Sequence, residues 1–191
     1  GYVCISVGYR LTQEAPDPGA VRWLTAPEQI SRSRMDHVRN LLGLPPASSR
    51  ELANGMEAAF QDVAAAFNFV HTNAADYGVD PTRMAIGGFS AGGTSALYAA
   101  FAGRFPAAAV VALSGRMEAS DIEAYITAER PIPVLQFVGQ HDLEYVRSLT
   151  MQMADKFARL GIPHQLQHVP GAGHFYPRTA RVEDPTGRMS T

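Results

Sequence analysis

Gly88-Phe89-Ser90-Ala91-Gly92 sets a serine inside a Gly-x-Ser-x-Gly pentapeptide. A serine hydroxyl is a weak nucleophile near neutral pH and needs an adjacent base to react. The pentapeptide follows a predicted strand at residues 83–86 and opens a predicted helix at 91–102. A sharp strand-to-helix turn is the context in which this motif presents its serine. Gly88 and Gly92 leave room for the neighbouring backbone, and Ser90 Oγ projects from the end of the strand. The Ala91 N–H, at the start of the helix, is the expected donor to a developing oxyanion. The alternative is a glycine-rich turn whose serine only caps a helix.

Six histidines could supply the base: His37, His71, His141, His164, His168 and His174. His174 is preferred, because Gly171-Ala172-Gly173-His174-Phe175 is a flexible turn just after a predicted strand. His168 falls in that strand, His71 on a helix, and His141 in a loop beside the candidate acid. The base needs a carboxylate to fix its tautomer. Asp142 follows an apolar strand at 133–138, so it lies at a carboxyl end of the sheet, where sites of α/β proteins form. It could instead cap the helix that follows. Glu118, Asp121 and Glu144 are further candidates for the acid.

The elements that must position these residues alternate. Residues 2–7, in Tyr2-Val3-Cys4-Ile5-Ser6-Val7, are apolar on both faces and predict an interior strand. Residues 11–50 carry five prolines and no periodicity, which predicts a long excursion that could lie over the site. Ser48-Ser49-Arg50-Glu51 is a capping-box pattern, and Met56, Phe60, Val63, Phe67 and Val70 follow at helical spacing to about residue 75. Strands at 107–113, 133–138 and 165–169 alternate with helices at 121–128 and 145–160. The tail from Tyr176 is polar and shows no clear helix. This order predicts one α/β domain over 1–191, a mostly parallel sheet with helices on both faces.

Composition removes other classes. The chain has 191 residues, 46% hydrophobic and 18% charged, with a net charge of −2 and one cysteine. That is ordinary globular composition without a disulfide scaffold. No basic run suits nucleic acid, and no apolar stretch reaches the roughly 18 residues of a membrane span. Residues 1–9 do not form a signal peptide, which favours the cytoplasm while leaving the compartment open. The histidines are scattered and the cysteine is alone, so no metal spacing is present. The glycine motif lacks the Lys-Ser/Thr pair of a phosphate loop.

With Ser90, Asp142 and His174 in that chain order, the sequence resembles an α/β-hydrolase. It is most similar to the carboxylesterase/lipase branch that includes the hormone-sensitive-lipase-like esterases. The resemblance rests on residues 6–11, on Val79-Asp80-Pro81-Thr82-Arg83 with the glycine-serine motif through Gly93, on residues 133–142, and on Gly171 through Phe175. It implies a Ser90–His174–Asp142 esterase acting through an acyl-enzyme, with no cofactor and a small or medium ester as substrate. Members of the branch carry further strands and a His-Gly-Gly loop ahead of the Tyr9-Arg10-Leu11 strand. Here the chain opens on Gly1 and contains no His-Gly-Gly, so it reads as amino-terminally shortened. The first strand would then be an open sheet edge through which two copies could pair. Phe89 and Phe175 flank the site and are expected to line the substrate pocket. Trp23, Leu24, Ile30, Met35, Leu41, Leu42 and Leu44 could form an acyl-binding wall. An amidase or formamidase of the same fold, and a non-catalytic binding module, are the other functions the sequence allows.

Overall fold

The computed structural model describes every residue except Ala15, 177–181, 184–188 and Thr191. The 11–50 excursion holds one nine-residue helix, α1 (Ser33–Leu41), and two short 3-10 turns. Then α2 (Ser49–Thr72) begins where the sequence signals it. Ser48 Oγ accepts from the Glu51 N–H at 3.2 Å, and the Glu51 carboxylate accepts from the Ser48 N–H at 2.7 Å. This reciprocal pair satisfies two N–H groups that a helix start leaves open.

Four strands and three helices follow: β1 (Ala85–Phe89), α3 (Ala91–Phe101), β2 (Ala109–Leu113), α4 (Ala119–Tyr125), β3 (Val134–Gly139), α5 (Glu144–Leu160) and β4 (His164–Val169). The strands are parallel in the order β1-β2-β3-β4. The expected strands at 83–86, 107–113, 133–138 and 165–169 are all found, shifted by one to three residues. Gly161 closes α5 in the left-handed conformation, φ +66°. Two-residue strands β5 (Val182–Glu183) and β6 (Met189–Ser190) pair antiparallel. The rest of the tail from Pro177 lies outside the described residues.

One expectation is corrected. Residues 2–7 form no strand, and Tyr2 is 98% exposed with Val3 and Ile5 also exposed. A strand is held by ladder bonds to a neighbour and by covered faces; this segment has no ladder bonds among the described residues, and of its side chains only Val7 packs, half-buried, on the core. Among the described residues, β1 and β4 are the two edge strands of the sheet. Among the described residues, helices α2 to α5 share one face of the sheet. Ile86, Val110 and Val134 are in register across three strands, and they join Phe60 of α2, Phe101 of α3, Ile122 of α4 and Phe157 of α5 in one cluster. Successive parallel strands added in one direction through right-handed crossovers put each crossover helix on the same side. Val111, Leu113, Leu135 and Phe137, on the opposite face, are only half-buried.

Two buried carboxylates anchor the excursion to this core. Glu57, on α2 and 2% exposed, accepts from the Trp23 and Leu24 N–H groups at 2.7 Å each. Asp121, fully buried, accepts from the Thr25 N–H at 2.9 Å, the Thr25 hydroxyl and the Tyr98 hydroxyl. Glu57→Ala leaves two backbone donors without an acceptor, and it is expected to cost about 2–3 kcal/mol in urea unfolding. A change below about 0.5 kcal/mol would contradict this anchoring role. Burial pushes the Glu57 carboxyl above its ordinary value. A raised folded-state value stabilises the fold below the ordinary carboxylate range, and that contribution is lost as pH rises through the raised value. The stability of Glu57→Gln relative to the native chain should therefore increase with pH.

Candidate active site

The turn between β1 and α3 forces Ser90 into a backbone conformation that side-chain-bearing residues rarely adopt, φ +53° and ψ −116°. Two hydrogen bonds hold it there: the Ser90 N–H donates to the Leu113 carbonyl at 2.8 Å, and the Thr94 N–H donates to the Ser90 carbonyl at 2.9 Å. Gly88 is required by close approach, since a Cβ there would fall 2.6 Å from the Gly92 carbonyl carbon. The Ala91 N–H, at the first position of α3, has no acceptor among the described residues and borders the same cavity as Ser90. It is an orphan donor of the kind every helix start leaves.

Ser90 Oγ lies 2.8 Å from His174 Nε2, and His174 Nδ1 lies 2.7 Å from Asp142 Oδ1. A proton on Nδ1, donated to the carboxylate, leaves Nε2 as the acceptor for the serine hydroxyl. Such a chain can draw the proton from the serine as it attacks a carbonyl carbon. His174 and Asp142 are both screened from solvent, which strengthens their attraction. Phe89 and Phe175 lie against the imidazole, each with ring centroids 5.3 Å from it.

Asp142 comes to this place through a turn that ties the ends of β3 and β4 together. The Gln140 N–H donates to the Val169 carbonyl at 3.0 Å, and the His141 N–H to the Ala172 carbonyl at 2.8 Å. Gly139 makes this closeness possible. A Cβ there would fall 2.2 Å from the Gly173 oxygen and 2.6 Å from the Ala172 oxygen. Gly139→Ala should cost about 1–3 kcal/mol by overpacking, and it should displace the turn that carries His174. Urea midpoints and ester hydrolysis rates check this; both unchanged would contradict it.

The sequence leaves helix capping open as the role of Asp142. In the structure α5 has Leu143 at its cap and no side-chain capping bond. Asp142 Oδ1 accepts from its neighbour Leu143 N–H at 2.7 Å while also meeting His174. Oδ2 accepts from the Ser114 hydroxyl. Ser114, at the end of β2, also has a positive φ of +50°. Its hydroxyl meets the Tyr176 phenol, which lies 3.1 Å from the Phe137 carbonyl. Burial pushes the Tyr176 phenol above its ordinary value, so it stays protonated and can donate. Neither Ser114 nor Tyr176 was visible as a site residue in the sequence. The Leu113-Ser114-Gly115 step, a polar residue at a strand's carboxyl end, was the available signal for Ser114.

The other candidate acids lie elsewhere. Asp121 holds Thr25 and Tyr98 in the core, Glu118 pairs with Arg116 at 2.7 Å, and Glu144 pairs with Arg147 at 3.3 Å on the surface. His141 is exposed in its turn.

Ser90, Ala91 and His174 border a cavity of about 220 Å³. The excursion forms part of its wall through Leu11, Thr12, Ile30 and Met35, while α2 adds Leu52, Met56 and Phe60. Three expectations for the wall are corrected. Trp23 stacks on Phe60 with ring centroids 6.4 Å apart, gives its carbonyl to the Tyr125 hydroxyl, and does not line the cavity. Its N–H is held by Glu57, which turns the residue into the core. Leu41, the last residue of α1, and Leu42 and Leu44 just after it are exposed. Phe89 and Phe175 pack beside His174 and stand outside the cavity lining, Phe175 being 65% exposed. Among the described residues no group of three or more His, Cys, Asp or Glu could hold a metal ion. No helix among them is long and apolar enough to cross a membrane.

A model of the phospholipase/carboxylesterase family matches residues 42–180, a stretch that contains Ser90, Asp142 and His174. No curated protein matches the sequence. Among solved structures, esterase PE8 is 30% identical with a TM-score of 0.52, over 66% of this chain and 58% of that one. Thermogutta terrifontis esterase 2, phosphorylated by paraoxon, is 20% identical with a TM-score of 0.57, over 62% and 54%. MGS-M1, an α/β-hydrolase enzyme from a Medee basin deep-sea metagenome library, is 21% identical with a TM-score of 0.53, over 62% and 50%. The aligned part is thus less than two thirds of each of these chains.

Proposed function

The chain belongs to the phospholipase/carboxylesterase family and has an α/β-hydrolase fold, and from that premise we propose that it is a serine hydrolase cleaving small carboxylic esters through an acyl-enzyme on Ser90. The observation that carries this reading is the hydrogen-bonded chain Ser90–His174–Asp142 at 2.8 and 2.7 Å, opening on a cavity.

In this mechanism Ser90 Oγ attacks the ester carbonyl while His174 Nε2 takes the hydroxyl proton. The carbonyl oxygen becomes an oxyanion, stabilised by the Ala91 N–H. The tetrahedral adduct collapses, the C–O bond to the alcohol breaks, and His174 returns its proton to the departing alkoxide. Water, deprotonated by His174, then attacks the acyl carbon and frees the carboxylic acid and Ser90. Asp142 holds Nδ1–H throughout, and Ser114 with Tyr176 holds Asp142. No cofactor enters these steps. Thr12 and Gln13 border the cavity with backbone N–H groups that have no acceptor among the described residues. They are the proposed further oxyanion donors.

The cavity is smaller than the roughly 300–1,000 Å³ of sites for drug-sized ligands, which favours a short acyl chain. On this reading residues 1–191 act as one hydrolase unit whose 11–50 excursion covers the site. Two copies would pair along the open edge of β1.

A matched p-nitrophenyl ester and p-nitroanilide test the function. Hydrolysis of the ester, with the anilide much slower, is expected. A faster anilide would make the chain an amidase, and no turnover of either by the folded chain would favour a binding module.

A further inference from the structure

Three arginines, Arg10, Arg34 and Arg116, border the cavity at Ser90, and among the described residues no aspartate or glutamate does. A wholly neutral ester has no use for such a lining, and Arg116, 7% exposed, gives up hydration to stand there.

Two of the three are balanced. Arg10 makes a two-pronged pair with Asp62 at 2.8 and 2.9 Å. Arg116, 7% exposed, meets the Glu118 carboxylate at 2.7 Å through one terminal nitrogen. Arg34 is not balanced. Its guanidinium lies 5.5 Å over the Phe175 ring and has no carboxylate or hydrogen-bond partner among the described residues. Arg34 is therefore the lining cation without a carboxylate of its own among the described residues.

Tyr145 links the two arginines. Arg116 stacks over its ring at 5.0 Å. Burial pushes the Tyr145 phenol up, while Arg116 and Arg34 both pull it back. The Tyr145 hydroxyl has no hydrogen-bond partner among the described residues and borders the cavity with them. The Arg34 and Arg116 side chains and the Tyr145 phenol thus border one cavity with Ser90, with Glu118 and Asp142 as the nearby carboxylates, each already engaged, by Arg116 and by His174.

Resting on the esterase reading above, we infer that Arg34, with Arg116 and Tyr145, anchors a free carboxylate of the substrate, so that the preferred ester carries a second, anionic end. Arginine presents parallel N–H donors that match the two oxygens of a carboxylate. The surrounding apolar wall, with Ile30, Met35 and Val146, weakens competition from water. The ring of Phe175 under Arg34 holds the guanidinium plane without neutralising it. The chemistry is balanced hydrolysis: water and a carboxylate-bearing ester give an alcohol and a second carboxylate, with one proton released. The anchor binds ground state and transition state alike, so its effect falls on KM more than on kcat.

The test uses two matched pairs, because the carboxylate could sit on either side of the ester. Mono-p-nitrophenyl glutarate against p-nitrophenyl valerate places it on the acid. The acetate ester of 4-hydroxybutyrate against butyl acetate places it on the alcohol. In at least one pair the anionic ester is expected to have about a tenfold higher kcat/KM, carried by KM, which corresponds to about 1.4 kcal/mol. The ratio should shrink with added salt, collapse in Arg34→Gln, reverse in Arg34→Glu and return in part in Arg34→Lys. Equal or inverted ratios in both pairs, or a ratio that survives Arg34→Gln, would overturn the inference. Glutarate titrated into the Ser90→Ala chain and followed by NMR separates the two readings. Binding weakened about tenfold by adding Arg34→Gln supports the anchor even if no ester turns over. No binding refutes it whatever the esterase result.

Discussion

Ser90→Ala is expected to lower kcat for ester hydrolysis by about 10⁴–10⁶-fold. The serine is the only atom source for the acyl-enzyme, and its 2.8 Å contact with His174 Nε2 has no purpose once Oγ is gone. What remains is binding in the cavity and the polarising effect of the Ala91 N–H, which still favour attack by water. A fold defect would not explain the loss. Ser90 makes its structural bonds through its backbone, to Leu113 and Thr94. Alanine relieves no strain and removes only the hydroxyl, so the urea midpoint should stay near the native value. Hydrolysis of a p-nitrophenyl ester by the folded variant at the native rate would end the assignment of Ser90.

Asp142→Asn carries the second largest effect, about 10⁴-fold in kcat. Asp142 Oδ1 accepts both the His174 Nδ1 proton and the Leu143 N–H at 2.7 Å, while Oδ2 accepts the Ser114 hydroxyl. An amide has one acceptor oxygen and one donor nitrogen for these three donors. If its oxygen stays with Leu143 and His174, the nitrogen faces the Ser114 hydroxyl proton and that bond reverses. If its nitrogen turns to His174, the imidazole must carry its proton on Nε2 and cannot accept from Ser90. Either arrangement removes the negative charge that stabilises the imidazolium. Ser114→Ala, which leaves the carboxylate and removes one donor to it, should be far milder. Comparable losses in the two variants would show that Asp142 matters for shape and not for charge.

The site was legible because its residues sit at chain positions that sequence grammar marks. A Gly-x-Ser-x-Gly after a strand, an aspartate just past an apolar strand and a histidine in a glycine-rich turn all lie at carboxyl ends of parallel strands. Local rules were enough for the core elements: Ser48 and Glu51 start α2, and Gly161 ends α5. What local rules could not reach were contacts between distant segments. Trp23 looked like a wall residue because it is large and lies in an excursion. It is turned into the core by Glu57, 34 positions away, which no spacing reveals. The opposite error concerns Tyr2 through Val7, whose apolar alternation reads as an interior strand. Alternation describes what a segment could cover and says nothing of whether a neighbour pairs with it. Ser114 and Tyr176 were missed for the same reason, since each gains its meaning only when β2, β3 and the turn after β4 come together. The one-sided placement of the helices could have been foreseen from right-handed crossovers, once the strand order was known.

If Ser90 is an activated nucleophile, intact-mass labelling of the whole chain with a fluorophosphonate reveals it. Attack by Ser90 Oγ on phosphorus expels fluoride and leaves a stable phosphonyl ester, so turnover of an unknown natural substrate is not needed. One adduct per chain is expected, mapped to Ser90, absent in Ser90→Ala and formed much more slowly in Asp142→Asn. A folded chain that takes no adduct, or one whose adduct persists in Ser90→Ala, would contradict it.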